Sequence, residues 1–347
     1  AGLLAQLGGL YRRHGLRGRA LVVADEAVLA LHGARALEAL AASDVEAEVA
    51  PVPAGETSKT LAMADSLYQR LIEGGFGRDA VVVALGGGVV GDLAGFVAAT
   101  YQRGVALVQV PTTLLAQVDS AVGGKTGVNH RLGKNLIGAF HPPALVAADL
   151  DALDTLPERE WWSGLAEVVK YGLIADRELF SRLERELEAL RPGAALEGLV
   201  ARCVEIKAGV VARDEREAGP REVLNFGHTL GHALESLTGY EHFRHGEAVF
   251  WGMLGEAYLS VRQGKLREVE FRRVERLIAR VPTPPLPELD PDAFLAHVRR
   301  DKKRRGGRVR MVWLRHLGQC EVDAVSPEAL GRVLPYWRGL AQAGARP

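Results

Sequence analysis

Four of the ten histidines in this chain, His228, His232, His242 and His245, fall within eighteen consecutive positions. His228 and His232 are four residues apart, one helical turn, so on a helix both imidazoles leave the same face. That is metal-ligand spacing. Zinc takes neutral imidazole nitrogen and carboxylate oxygen, and a catalytic zinc uses three protein ligands while one position stays open to water or substrate. Two histidines so spaced also occur as ordinary polar residues of a half-buried helix. Here His245 follows, Arg221 and Asn225 lead in on the same periodicity, and Glu167 sits upstream on a helical pattern, which together favour a metal site.

Lysine usage is the second chemical signal. Of forty-three basic residues only eight are lysine: Lys59, Lys125, Lys134, Lys170, Lys207, Lys265, Lys302 and Lys303. A surface covered with arginine leaves lysine where a compact, titratable ammonium is needed. A coding bias accounts for the ratio, yet it makes the remaining lysines more informative. Glu167 and Lys170 are three residues apart on one helical face amid apolar neighbours, which predicts an inward-facing pair.

The third signal is a glycine turn. Gly86, Gly88 and Gly91 match G-x-G-x-x-G between a strand and a helix, where free amides can hold a pyrophosphate. The acid expected about twenty residues on is missing, since position 111 is Pro followed by Thr112 and Thr113. The ribose contacts must therefore be of another kind, or the turn serves packing alone. A phosphate-loop reading of Gly123-Gly124-Lys125-Thr126 fails, because the first glycine of that motif would stand at 119, which is Asp. The segment through Lys134 and Asn135 is still rich in donors for an anion.

These groups need a frame to hold them. Residues 20–24, 49–52, 79–85 and 105–110 are short apolar runs separated by helical text, the pattern of a parallel sheet covered by helices. The loop 54–59 introduces a helix over 60–74. Beyond Asp149 helical patterns dominate, over 161–190, 196–212 and 249–280, before four prolines between 282 and 287 interrupt. The expected fold is an α/β dinucleotide-binding domain over 1–150 and an all-α metal- and substrate-binding domain over 151–347, with the site in a cleft between them.

Composition excludes several classes. At 347 residues the chain has room for two cores, and its 43 acidic and 43 basic residues cancel, so no global charge draws it to nucleic acid or a membrane surface. The basic run 299–308 has no interleaved aromatics and reads as a solvated face whose lysines can reach a small anion. No apolar run spans a bilayer, no signal pattern opens the chain, and Cys203 and Cys320 lie far apart, which together predict a cytoplasmic protein with buried thiols.

A nicotinamide site, a metal triad and an excess of cationic groups suggest oxidation of a hydroxyl on a phosphorylated, carboxylated sugar. The segments Gly86 to Asp92, Tyr101-Gln102-Arg103-Gly104, Pro111 to Lys125, Gly133-Lys134-Asn135, Gly164 to Lys170 and Asn225 to His232 resemble the 3-dehydroquinate synthase family of the shikimate pathway over most of the chain. The resemblance implies conversion of 3-deoxy-D-arabino-heptulosonate 7-phosphate to 3-dehydroquinate and phosphate, with NAD and zinc, or cobalt in its place, as cofactors. It assigns the metal to Glu167, His228 and His245, and moves His232 from ligand to substrate-phosphate contact. Around the substrate it places Asp119, Lys125, Asn135, Lys170, Lys207, Arg221, Asn225, Lys302 and Lys303, with Arg103 entering the neighbouring subunit of a homodimer. To NAD it assigns Asp25, Glu56, Lys59, Gly88, Val89, Val90, Gly91, Asp92, Thr112, Thr113, Lys125, Lys134 and Thr155.

Two departures from the family pattern fall in cofactor segments. Ala54 precedes Gly55-Glu56 where the family has Asp, and Asp154 stands before Thr155 where lysine is common. The competing expectations are a related sugar phosphate cyclase acting on sedoheptulose 7-phosphate or glucose 6-phosphate, a metal-dependent glycerol-type dehydrogenase, and a nucleotide hydrolase. Those sugar phosphates lack the carboxylate that Lys207 and Arg221 would bind.

Overall fold

The computed structural model describes residues 1–217, 219–304 and 309–342, with the side chains of 194, 195 and 299–304 left aside. Contacts divide the chain into two compact units. The first joins Ala1–Pro157 with Arg191–Ala208, and the second joins Glu158–Leu190 with the chain from Gly209 onward. Against the division drawn at 150 from sequence, the first boundary falls a few residues later, after Pro157, and a second segment changes sides. Residues 191–208 pack with the sheet unit, a long-range pairing that local periodicity does not encode.

In the first unit, β1 (Ala20–Asp25), β2 (Ala47–Val52), β3 (Val81–Gly86), β4 (Ala106–Pro111) and β7 (Leu145–Val146) form a parallel sheet ordered β2-β1-β3-β4-β7. Alternate residues of each strand supply two cores. Leu21, Val23, Val82, Ala84 and Leu107 face one way, beneath the helices Leu61–Glu73 and α1 (Gly88–Thr100). Val22, Ala24, Val83, Leu85 and Val108 face the other, against Leu7–Arg13 and Ala34–Ala41. Burial on both faces explains the continuous apolar text. Thr60 accepts the Met63 N–H at 3.1 Å and starts the helix at Leu61.

The segment 125–140, read from sequence only as a donor-rich stretch, is an antiparallel hairpin of β5 (Lys125–His130) and β6 (Gly133–Phe140). It packs on α1 because Gly95 carries no Cβ; one added there would stand 2.4 Å from the Thr126 methyl.

The second unit is mostly helical, with one exception to the all-α expectation: β8 (Val309–His316) and β9 (Gln319–Val325) pair as a hairpin. The helical pattern over 161–190 is also two helices, α2 (Glu158–Ile174) and Arg177–Glu186. Asp176 divides them, its carboxylate accepting the N–H groups of Glu178 and Leu179 at 3.0 Å.

Helix α3 (His228–Leu237) lies against α4 (His245–Arg262), which also crosses α2. A Cβ at Gly252 would stand 1.9 Å from the Gly227 carbonyl oxygen, and one at Gly246 would stand 1.9 Å from that of Ser163. Since these obstacles are backbone, neither can swing aside. Glycine at both crossings brings the three helices to the separation at which their polar side chains meet. No described helix is long and apolar enough to cross a membrane. Cys203 is buried and Cys320 half-buried, and neither is in a disulfide.

Candidate functional site

Glu167 projects from the middle of α2 and is completely buried. His228 is the first residue of α3 and His245 the first of α4, so two helix starts bring their imidazoles to one carboxylate. The Nε2 atoms of His228 and His245 stand 3.6 and 3.9 Å from Glu167 Oε1. Those distances exceed a hydrogen bond, and Oε1 has no hydrogen-bond partner among the described residues.

The same distances suit ligands that share a cation. Two donors each about 2.1 Å from a tetrahedral zinc stand roughly 3.4 Å apart, and one donor atom from each of Glu167, His228 and His245 lies within 4.8 Å of the others. The His228 ring is held neutral. Burial lowers its pKa well below the ordinary value, and the Lys170 ammonium and the other two histidines lower it further. A neutral imidazole is the ligand form. The residues present thus fit a divalent cation.

Lys170, buried beside Glu167 on α2, is ion-paired with that carboxylate. The inward-facing pair expected from the spacing is found. His232 stands on the exposed side of α3, its ring 5.3 Å from that of His228 and 6.0 Å from that of His245. It is outside the Glu167 triad. Equal helical spacing made His228 and His232 neighbours, but the carboxylate comes from another helix and faces only the first. In the same unit Arg221 is buried in the turn Pro220–Asn225, where its guanidinium donates to the Glu215 carbonyl at 2.5 Å. Asn225 donates to Glu217 Oε1 at 2.9 Å. The side chains of Lys302 and Lys303 lie outside the described residues.

In the sheet unit the glycine turn opens α1 as expected, with Gly88, Val89, Val90, Gly91 and Asp92 forming its first turn. The strand-to-helix passage is tight enough that a Cβ at Gly86 would stand 2.8 Å from Val90. The turn is braced from β4, where Thr112 N–H donates to the Gly86 carbonyl at 3.0 Å, and Thr113 Oγ1 accepts the Ala116 N–H.

Lys59 is buried and donates to Asp92 Oδ2 and Asn135 Oδ1. Burial raises the Asp92 pKa, and the Lys59 ammonium works against that rise. Asn129 continues the network, donating to Glu56 Oε1 at 2.7 Å and accepting the Asn135 N–H at 2.9 Å. Asn135 is held in left-handed backbone at φ 56°. The network therefore unites Glu56, Lys59, Asp92 and Asn135, four positions drawn from three separate segments.

Elsewhere in this unit, Asp119 lies in a π-helical turn, Ala116–Ser120, and both its carboxylate and its carbonyl accept from the Lys207 ammonium. Lys125 opens β5 and is exposed, and Lys134 lies in β6. Asp25 caps the turn after β1 by accepting the Val28 N–H at 2.9 Å. Thr155 Oγ1 is 3.0 Å from His32 Nε2. Gln102 and Arg103 both have positive φ, 51° and 68°, ahead of Gly104.

Sequence reasoning gave no role to Glu235 or Glu256. Glu235 is buried on α3, its Oε1 3.6 Å from His245 Nδ1. Glu256 is fully buried on α4 and accepts the N–H groups of Gly227 at 2.9 Å and Leu230 at 3.4 Å, capping α3 where Gly227 offers no side chain. The available signals were an acid seven residues after His228 and an acid inside the apolar text of α4.

A parallel sheet with a glycine turn, joined in one chain to a buried carboxylate and two imidazoles arranged for a cation, is the framework of a metal-dependent enzyme. The 3-dehydroquinate synthase N-terminal family matches residues 49–163 and its C-terminal counterpart residues 164–304. The chain belongs to the 3-dehydroquinate synthase family. It is 52% identical over 326 residues to the 3-dehydroquinate synthase of Halorhodospira halophila, covering 93% of this chain and 91% of that protein. It is 47% identical over 342 residues to that of Gloeobacter violaceus, covering 97% and 95%.

Among solved structures it is similar to 2-epi-5-epi-valiolone synthase from Streptomyces hygroscopicus subsp. jinggangensis, which has NAD+ and Zn2+ bound. That similarity has a TM-score of 0.87 and 32% identity over 96% of this chain and 94% of the other. A 2-deoxy-scyllo-inosose synthase complexed with carbaglucose-6-phosphate, NAD+ and Co2+ matches with a TM-score of 0.86 and 28% identity over 95% and 94%.

Proposed function

We propose that the chain converts 3-deoxy-D-arabino-heptulosonate 7-phosphate to 3-dehydroquinate and inorganic phosphate, using NAD and one divalent cation, zinc or cobalt. The observation that carries this reading is the approach of Glu167, His228 and His245 to one point, in a chain about half identical to enzymes of that activity. Glu167, His228 and His245 would hold the cation. The glycine turn, with Glu56, Lys59, Asp92, Thr112, Thr113, Lys134, Thr155 and Asp25, would hold the dinucleotide. When bound, the nicotinamide accepts and returns a hydride while the cation gathers hydroxyl oxygens and lowers their pKa.

The chain's own residues supply charge and position. Lys170 balances the Glu167 carboxylate inside α2 and adds a fixed positive charge beside the place where a substrate oxygen gathers negative charge. Asp119 fixes the Lys207 ammonium, and the Glu215 carbonyl fixes the Arg221 guanidinium. Cations held in this way stabilise developing charge without reorganising at the moment of reaction. In this reading Lys125, Asn135, Asn225, His232, Lys302 and Lys303 complete the substrate contacts. Loss of phosphate and ring closure then require confinement more than a strong general base. In this reading Arg103, which with Gln102 stands in left-handed backbone, reaches the site of a second copy of the chain.

Purified protein loaded with NAD and zinc is expected to release one phosphate per heptulosonate phosphate consumed, with no accumulation of NADH. NADH accumulating in step with turnover overturns this reading in favour of a dehydrogenase. Faster turnover of sedoheptulose 7-phosphate overturns it in favour of a related cyclase.

A further inference from the structure

The His245 ring has a carboxylate at each nitrogen. Its Nε2 lies 3.9 Å from Glu167 Oε1 and its Nδ1 lies 3.6 Å from Glu235 Oε1, the latter a gap that a ring shift of a few tenths of an ångström brings within hydrogen-bond reach. Glu235 reaches this place because it stands seven residues, two helical turns, after His228 on α3, so one helix face carries both a ligand and the acid that meets the other ligand. A glutamate this buried loses hydration that only a bound proton, a donor or a cation can replace.

We propose that Glu235 is a positioning residue that fixes the tautomer and orientation of His245 for the cation, an inference that rests on the function proposed above. A neutral imidazole carries one N–H, and its other nitrogen carries the lone pair. With the proton on Nδ1 and directed at Glu235, the lone pair is on Nε2, on the side of Glu167. Ligating histidines generally donate their second N–H in this way, and the acceptor raises the basicity of the ligating nitrogen. Because His245 begins α4 and its side chain is one-third exposed, packing holds the ring less firmly than the His228 ring. Glu235 adds a restraint at Nδ1.

The main competing use of these atoms is a second cation site. One donor atom from each of His232, Glu235 and His245 also lies within 4.8 Å of the others. Such a site takes the same Nδ1 that would donate to Glu235. Filling both sites at once strips the ring of its last proton and sets two dications on one imidazole, whereas a single N–H directed at Glu235 satisfies the carboxylate and leaves the first site intact.

The test uses metal-free full-length protein titrated with Co2+ followed by its visible absorption, and with Zn2+ against a chromophoric chelator. Wild type, Glu235→Ala, Glu235→Met, Glu235→Gln and His232→Ala are compared. One ion per chain is expected throughout. Glu235→Ala weakens affinity by about 10- to 100-fold and shifts the cobalt spectrum, while Glu235→Gln, whose amide oxygen accepts the same N–H, stays within a few-fold of wild type, as does His232→Ala. Glu235→Met keeps the side chain's bulk without the acceptor, so the same roughly 10- to 100-fold loss is expected of it and is read from it where alanine unfolds the protein.

Wild-type affinity in Glu235→Met overturns the inference alone. Two ions per chain, falling to one in both His232→Ala and Glu235→Ala, overturn it in favour of the second cation site. Wild type that takes up no ion overturns this inference together with the reading beneath it.

Discussion

Glu167→Gln is expected to release the cation and to lower turnover by more than the roughly 10- to 100-fold typical of residues that only support a ligand. The change also removes the charge that balances Lys170, which is buried one turn away. Breaking a buried pair by deleting one partner costs about 3–5 kcal/mol, so Glu167→Gln should melt earlier as well as lose metal. His245→Ala separates the two effects. Its ring is one-third exposed, and its removal leaves the buried Glu167-Lys170 pair intact, so the metal should be lost with a far smaller change in unfolding midpoint. Metal analysis and denaturant titration of the two variants check both parts. A Glu167→Gln protein that retains its metal would show that the carboxylate serves Lys170 and nothing else.

The second large effect concerns Glu256. This carboxyl group is sealed under the start of α3, and burial pushes its pKa up to about 8 from an ordinary 4.5, despite the backbone N–H groups of Gly227, Leu230 and Thr229 that pull it down. The folded chain therefore keeps a proton through the range in which the unfolded chain has already lost it. The group's contribution to stability is full below about pH 4.5 and declines as pH rises toward about 8. Converted at about 1.4 kcal/mol per pKa unit, the whole decline is on the order of 5 kcal/mol. Glu256→Gln cannot ionise, so its unfolding free energy should gain on wild type steadily between pH 5 and pH 8. Parallel stability curves for the two proteins would remove Glu256 as the titrating group.

Much of this was legible in the residues. The sheet strands are buried on both faces and so appear as unbroken apolar runs, with the glycine turn placed between β3 and α1. The Glu167-Lys170 pair stands out as two charges inside apolar text. The hairpin β5-β6 was hidden because glycine at 127, 133 and 138 and half-exposed positions blur its alternation. Asp176 divides a helical pattern that periodicity alone runs through, since the apolar spacing continues on both sides. Spacing singled out His232 as readily as His228; only the direction from which α2 approaches distinguishes them. Residues 191–208 join the sheet unit through contacts distant in sequence, and no local pattern reports such a pairing.

The central claim is that one carboxylate and two imidazoles, from the middle of one helix and the starts of two others, bind a single cation. X-ray absorption at the zinc edge of the loaded protein tests it most directly. The expected shell has two imidazole nitrogens and one protein carboxylate oxygen at about 2.0–2.2 Å, unchanged in His232→Ala and reduced by one imidazole in His245→Ala. A third imidazole that disappears with His232→Ala, or a shell unaffected by His245→Ala, would contradict it.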